Sequence, residues 1–106
     1  MKILYIDMDN VLVDFVSGIN QLSPELQKQY EGDLDEVPNI FSLMKPMEGA
    51  IESFQKLSGV FDTYILSTAP WENDTAWSDK LNWVKKYLGP SAHKRLILSH
   101  NLIIRI

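Results

Sequence analysis

The sequence predicts an α/β fold built on a parallel sheet, and three observations predict it. Residues 2–6 hold the unbroken apolar run Ile3, Leu4, Tyr5 and Ile6, the pattern of a parallel strand covered on both faces. A second run rich in β-branched and aromatic residues, VFDTYIL at 60–66, and a third, RLIL at 95–98, have the same character. Between them the apolar residues recur at helical spacing, so strands and helices alternate along the chain.

Taken in order, the elements are these. The first strand runs into Asp7. From Leu12 the spacing turns helical, with Leu12, Phe15, Val16, Ile19 and Leu22 on one stripe. SPEL opens a fresh helix, with Ser23 as N-cap and Pro24 at the first helical position. EGDLDEVPNI at 31–40 is polar and turn-rich and predicts a loop. A helix resumes near Met47, carrying Met47, Ile51, Phe54 and Leu57 on one face and stopping at Gly59. After the second strand, WENDTAWSD predicts a loop. The following helix runs through KLNWVKKYLG, with Trp77, Leu81, Val84 and Leu88 on its apolar stripe and Gly89-Pro90 as its stop.

Composition narrows the function classes. The 106 residues are 45% hydrophobic and 23% charged, which suits one globular domain. A formal charge of −4 argues against a nucleic acid polymer or an anionic membrane as partner. With no cysteine, disulfides, zinc-thiolate sites and a cysteine nucleophile are excluded. The N-terminal apolar run is too short for a signal peptide or a membrane span, so a cytoplasmic protein is expected.

The chemistry concentrates at two places. DMDN (7–10) and STAP (67–70) each follow a strand directly, at the end of the sheet where open α/β folds bind ligands. Asp7 and Asp9 repel each other and are costly to desolvate, which a divalent cation would offset. An ionised Asp7 can bind Mg²⁺ and attack phosphorus. Asp9, two residues on, points to the same side of an extended chain and can move a proton as acid and then base. Backbone N–H groups at Asp9 and Asn10, opening into a helix, would suit a phosphate, and Ser67 and Thr68 add hydroxyl donors without charge. Each feature also has a plainer reading. D-x-D before an apolar run can be a strand-to-helix turn capped by Asp. Ser-Thr after a strand is often turn chemistry. Phe15, Phe41, Trp77 and Trp83 are core residues by default. Lys85, Lys86, Lys94 and Arg95 read as solvated charge. Neither His93 nor His100 stands at a zinc-ligand spacing.

Together these stretches resemble a known family. DMDNVLVDF resembles the first motif, D-x-D-x-[TV], of the haloacid dehalogenase-like phosphohydrolases, and more narrowly the DMDGVLADF form of the 5'(3')-deoxyribonucleotidases. MKPMEGAIE, YILSTAPW, WVKKYLGP and RLILSHN continue the likeness, which covers most of residues 2–101. The resemblance implies a Rossmann-like parallel sheet formed by 1–15 and 46–106, with a small helical cap insert at 16–45 that closes over the substrate. It implies Asp7 as the nucleophile forming an aspartyl-phosphate, Asp9 as the acid/base, and Mg²⁺ held by Asp7 and the Asp9 carbonyl. Ser67 and Thr68 would hold the phosphate. Phe15, Phe41 and His100 would line the nucleoside pocket.

Two positions depart from the family pattern. Asn10 replaces a common Gly, tolerably, because Asn accepts positive φ. After SHN the family continues with a Lys and then a strand ending in paired Asp residues; here Leu102 stands where that Lys is expected, and LIIRI follows. The expectation is therefore a C-terminally truncated or tail-altered relative whose LIIRI can form a last strand. The leading functional reading is a Mg²⁺-dependent hydrolase, a phosphatase of the 5'-nucleotidase kind that acts on (deoxy)nucleoside monophosphates. Two others stand beside it: a non-catalytic remnant that binds phosphate or nucleotide or forms a homo-oligomer, and a phosphatase for another small phosphate ester.

Overall fold

The first strand, β1 (Ile3–Asp7), forms as the apolar run predicts and stops at the carboxylate. A computed structural model describes residues 1–101; the LIIRI strand and Leu102 lie outside the described residues. The chain leaves β1 through a tight loop rather than a helix. Met8 is buried beneath it, and its carbonyl accepts the N–H groups of Leu12 and Val13 at 2.9 Å each. Val13–Asp14 then form a short strand, β2, which pairs antiparallel with β3 (Lys45–Pro46) in the register Val13↔Pro46 and Asp14↔Lys45. This two-stranded ribbon brings together the two ends of the segment between them.

That segment is mostly short turns. Helix α1 is only Phe15–Ile19, because Asp14 accepts the Ser17 N–H as its N-cap, the ribbon has already taken Val13, and Leu12 is held in the turn by the Met8 carbonyl. The apolar stripe expected from Leu12 is thus split, and Val16 faces solvent. Helix α2 (Pro24–Gln29) starts as predicted, with Ser23 Oγ accepting the Leu26 N–H, but buries no residue. The stretch 31–40 makes a 3-10 turn at Leu34–Glu36, and a second follows at Ile40–Leu43. Ile40, Phe41 and Met44 are fully buried, so this end of the segment belongs to the core.

Helix α3 (Ala50–Ser58) buries Phe54 and ends at Gly59, as the spacing predicts, although Met47 lies in the turn before it. Strand β4 (Asp62–Thr68) pairs parallel with β1, and β5 (Leu96–Ser99) pairs parallel with β4, giving the order β1-β4-β5. Helix α4 (Thr75–Tyr87) joins β4 to β5. It begins five residues before the predicted start, inside the stretch read as a loop.

Both crossovers step in the same direction across the sheet, so right-handed connections place α3 and α4 on one face. Thr63, Ile65 and Ser67 are buried on that face. On the other, Ile3 is 56% and Tyr5 55% exposed, which corrects the expectation of a strand covered on both sides. Tyr64 pairs with Tyr5 there, and Arg95 lies over Tyr64, donates to its hydroxyl and pairs with Asp62 at 2.5 Å. Arg95 is therefore a half-covered structural cation rather than plain solvated charge.

Candidate active site

The carboxyl ends of β1 and β4 lie side by side, with Asp7 opposite Leu66 in the register. Asp7 is exposed, and its Oδ1 accepts the Met8 N–H at 2.7 Å. Met8 turns into the core, so Asp7 and Asp9 flank a buried side chain. The loop that follows needs a left-handed residue, and Asn10 supplies it at φ 60°. Its N–H is spent on the Val13 carbonyl at 2.8 Å. The expectation that Asn10 offers its N–H to a phosphate at a helix start is therefore corrected: no helix opens there, and the loop closes on itself.

The sequence reading missed the residue at the centre of the site. Lys80 is completely buried, and its ammonium reaches Asp9 Oδ2 at 3.0 Å, Ser67 Oγ at 2.8 Å and the Thr68 carbonyl. The Phe41 ring covers it, with Nζ 4.4 Å from the ring centroid. Burying an ammonium without a counter-charge is prohibitively costly, and here one carboxylate and two oxygen acceptors offset it. Position 102, where the resemblance places a lysine, lies outside the described residues; the cation beside Asp9 comes from α4. A signal was available: with the helix begun at Thr75, Ala76, Lys80, Trp83 and Val84 fall on one face at i, i+4, i+7 and i+8, and all four are buried. Reading TAWSD as a loop moved the predicted stripe to Leu81, which is exposed.

Among the described residues Asp9 Oδ1 is buried without a hydrogen-bond partner, although Oδ2 is held by Lys80. A buried carboxylate oxygen left in this state is costly unless something else satisfies it. Phe15 and Phe41 lie together, ring centroids 6.1 Å apart. Ser67 is fully buried with its hydroxyl turned to Lys80. His100 follows β5; its Nδ1 lies 3.2 Å from the Ala69 carbonyl, and it packs edge-on against Trp71 and Trp77. Asp14, the third carboxylate of the opening stretch, is the cap of α1. Among the described residues no three His, Cys, Asp or Glu side chains form a metal cluster. The orphaned Asp9 oxygen still suits a hard cation that keeps most of its waters and takes one or two carboxylates, as Mg²⁺ does.

The described residues form an α/β fold with a parallel three-stranded sheet, in which D-x-D starts on the last residue of β1, Ser67-Thr68 close β4, and the buried Lys80 joins them; this is consistent with a truncated Rossmann-like haloacid dehalogenase fold. The chain is a homologue of proteins named 5'(3')-deoxyribonucleotidase. It is 63% identical over 99 residues to a Vibrio phage KVP40 protein named "Putative 5'(3')-deoxyribonucleotidase", a match covering 93% of this chain and 58% of that protein. A mimivirus protein with the same name is 29% identical over 114 residues, covering 82% of this chain and 52% of its own. The human "5'(3')-deoxyribonucleotidase, cytosolic type" is 25% identical over 125 residues, covering 91% and 62%. The chain therefore spans between about half and three-fifths of these relatives' length. No protein-family model matches it. Among the described residues no helix is long and apolar enough to cross a membrane.

Proposed function

We propose that the protein hydrolyses phosphate monoesters of the (deoxy)nucleoside monophosphate class. The observation that carries this reading is the buried Lys80 ammonium held between Asp9, Ser67 and Thr68 at the end of the sheet. A fixed cation with hydroxyl donors beside it is what a phosphoryl dianion requires. Asp7, exposed at the strand end, attacks phosphorus through a carboxylate oxygen, forming an aspartyl-phosphate as the bond to the ester oxygen breaks. The bound phosphoryl dianion takes over as the counter-charge of Lys80, so that Asp9 can carry the proton it gives to that leaving oxygen. Asp9 then takes one from the water that attacks the aspartyl-phosphate, so phosphate leaves and Asp7 is regenerated. Lys80 and the Ser67 and Thr68 hydroxyls balance the phosphoryl charge throughout.

Asp7 and the Asp9 carbonyl would hold Mg²⁺. The ion would supply charge neutralisation that lets an anionic nucleophile approach an anionic ester. The segment 16–45 acts as the cap, with the half-buried Phe15 offering aromatic surface to a base, the buried Phe41 backing that ring, and His100 after β5 as a further pocket residue. Its homologues' names support a nucleotide substrate, and the human relative's name supports a cytosolic setting.

The test is phosphate release from deoxynucleoside monophosphates and from a small aryl phosphate, with and without Mg²⁺. Mg²⁺-dependent release is expected, abolished in Asp7→Asn and reduced about 100-fold or more in Lys80→Met. Equal turnover of both esters would replace the nucleotide by a broader class of phosphate ester. No release from the folded chain would reduce the site to a phosphate binder.

A further inference from the structure

Asn73, just before α4, is 2% exposed, and its side-chain hydrogen bonds run to the cap segment and to Thr75. Its Nδ2 donates to the carbonyls of Asp35 at 2.9 Å and Val37 at 3.0 Å. Its Oδ1 accepts the Thr75 hydroxyl at 2.6 Å, and Thr75 Oγ1 in turn accepts the Asn39 N–H at 2.9 Å. The amide orientation is fixed by chemistry, since two carbonyls need two N–H donors and the hydroxyl needs an acceptor. Three backbone groups of residues 35–39 are therefore pinned from one end of α4. The chain then turns through Asn39 at φ 66° into the Ile40–Leu43 turn, which places Phe41 over Lys80.

We propose that Asn73 is a positioning residue: by pinning 35–39 it sets where the Phe41 ring lies over Lys80, and so how tightly the site takes the organic part of a phosphate ester. The specificity half rests on the phosphohydrolase reading above; the positioning half does not. Asn73→Asp keeps the shape but replaces both donors with an oxygen facing two carbonyls, so the segment must move.

Two measurements test this. The first needs no substrate: the Lys80 ε-methylene protons, shifted by the Phe41 ring current, are read by NMR against Phe41→Leu as the unshifted reference. Asn73→Asp is expected to remove most of the shift while far-UV circular dichroism stays unchanged. An unchanged shift overturns the proposal. Should that variant fail to fold, Thr75→Val removes the link to Asn39 and the hydroxyl's bond to Asn73 Oδ1 but keeps both Asn73 donors to the Asp35 and Val37 carbonyls, and is read the same way. The second is kinetic. Asn73→Asp is expected to raise KM for a deoxynucleoside monophosphate about tenfold with kcat within about threefold, and to leave KM for a small aryl phosphate unchanged. An equal loss on both esters, or a fall in kcat alone, overturns the specificity half. Absence of turnover in the unsubstituted chain overturns the phosphohydrolase reading and the specificity half with it, while the ring-current shift still decides the positioning half.

Discussion

At the scale of single residues, the site is governed by what it costs to bury charge. Lys80 is tolerable only because Asp9 faces it. Asp9→Asn leaves the ammonium buried with neutral acceptors alone, and since Asp9 itself is partly exposed, a loss of about 2 kcal/mol is expected by urea denaturation. Asp79, one residue earlier, behaves differently. Among the described residues its buried Oδ2 has no partner, and burial raises its carboxyl above the ordinary Asp range. A group whose folded pKa is raised contributes stability below its unfolded pKa and loses it as pH rises through the folded one. At neutral pH the ionised Asp79 is therefore a cost. Asp79→Asn is expected to have a higher Tm than the parent at pH near 7, with the difference vanishing near about pH 3, as thermal melts across that range would show.

At the scale of elements, short helices depend on their ends and on one close contact. Asp14 caps the five-residue α1 through the Ser17 N–H, and the Ser17 hydroxyl bonds back to the Asp14 carbonyl at 2.6 Å. Asp14→Ala is expected to cost about 1 kcal/mol in denaturant unfolding. Inside α1, Gly18 packs against the Ile40–Leu43 turn so closely that an added Cβ would lie 2.8 Å from Met44 Cγ and 3.3 Å from the Ile40 carbonyl. Helix propensity favours Ala over Gly, yet Gly18→Ala is expected to destabilise by about 1–3 kcal/mol because this overpacking outweighs the propensity gain. Helix α4 holds the other side of the same turn: Trp83 Nε1, buried, donates to the Met44 carbonyl at 3.0 Å.

At the scale of the whole molecule, the segment between β2 and β3 has two halves of unequal firmness. Residues 35–44 are pinned to α4 by Asn73, Thr75 and Trp83, whereas α2 buries nothing and is held by Gln27 reaching the carbonyls of Ile19 and Leu22. Local opening begins where few apolar contacts must break. Limited trypsin digestion is therefore expected to cut first after Lys28, with the α4 lysines protected. Early cleavage within α4 would contradict this division. Any closing motion over a ligand belongs to the α2 half, since the Phe41 half cannot move without breaking buried hydrogen bonds.

Much of this was legible in the sequence. Strands β1, β4 and β5, the Ser23-Pro24 start of α2 and the Gly59 stop of α3 follow from periodicity and capping, which are local properties. The placing of DMDN and STAP at neighbouring strand ends follows from the alternation of elements, and Asn10 from the conformational tolerance of its side chain. Tertiary structure alone decided the rest. Leu12 left its helical stripe because its N–H bonds to the Met8 carbonyl and its carbonyl accepts the Met47 N–H, next to the Val13–Asp14 pairing with Lys45–Pro46. Lys80 entered the core because Asp9, Ser67 and Thr68, 71, 13 and 12 residues away in sequence, converge on it, and no local pattern reports such a partner set. The sequence by itself determined which elements form and which carboxylates meet the sheet's end; the fold decided which cation pairs with Asp9, because a buried charge is paid for by neighbours in space rather than in sequence.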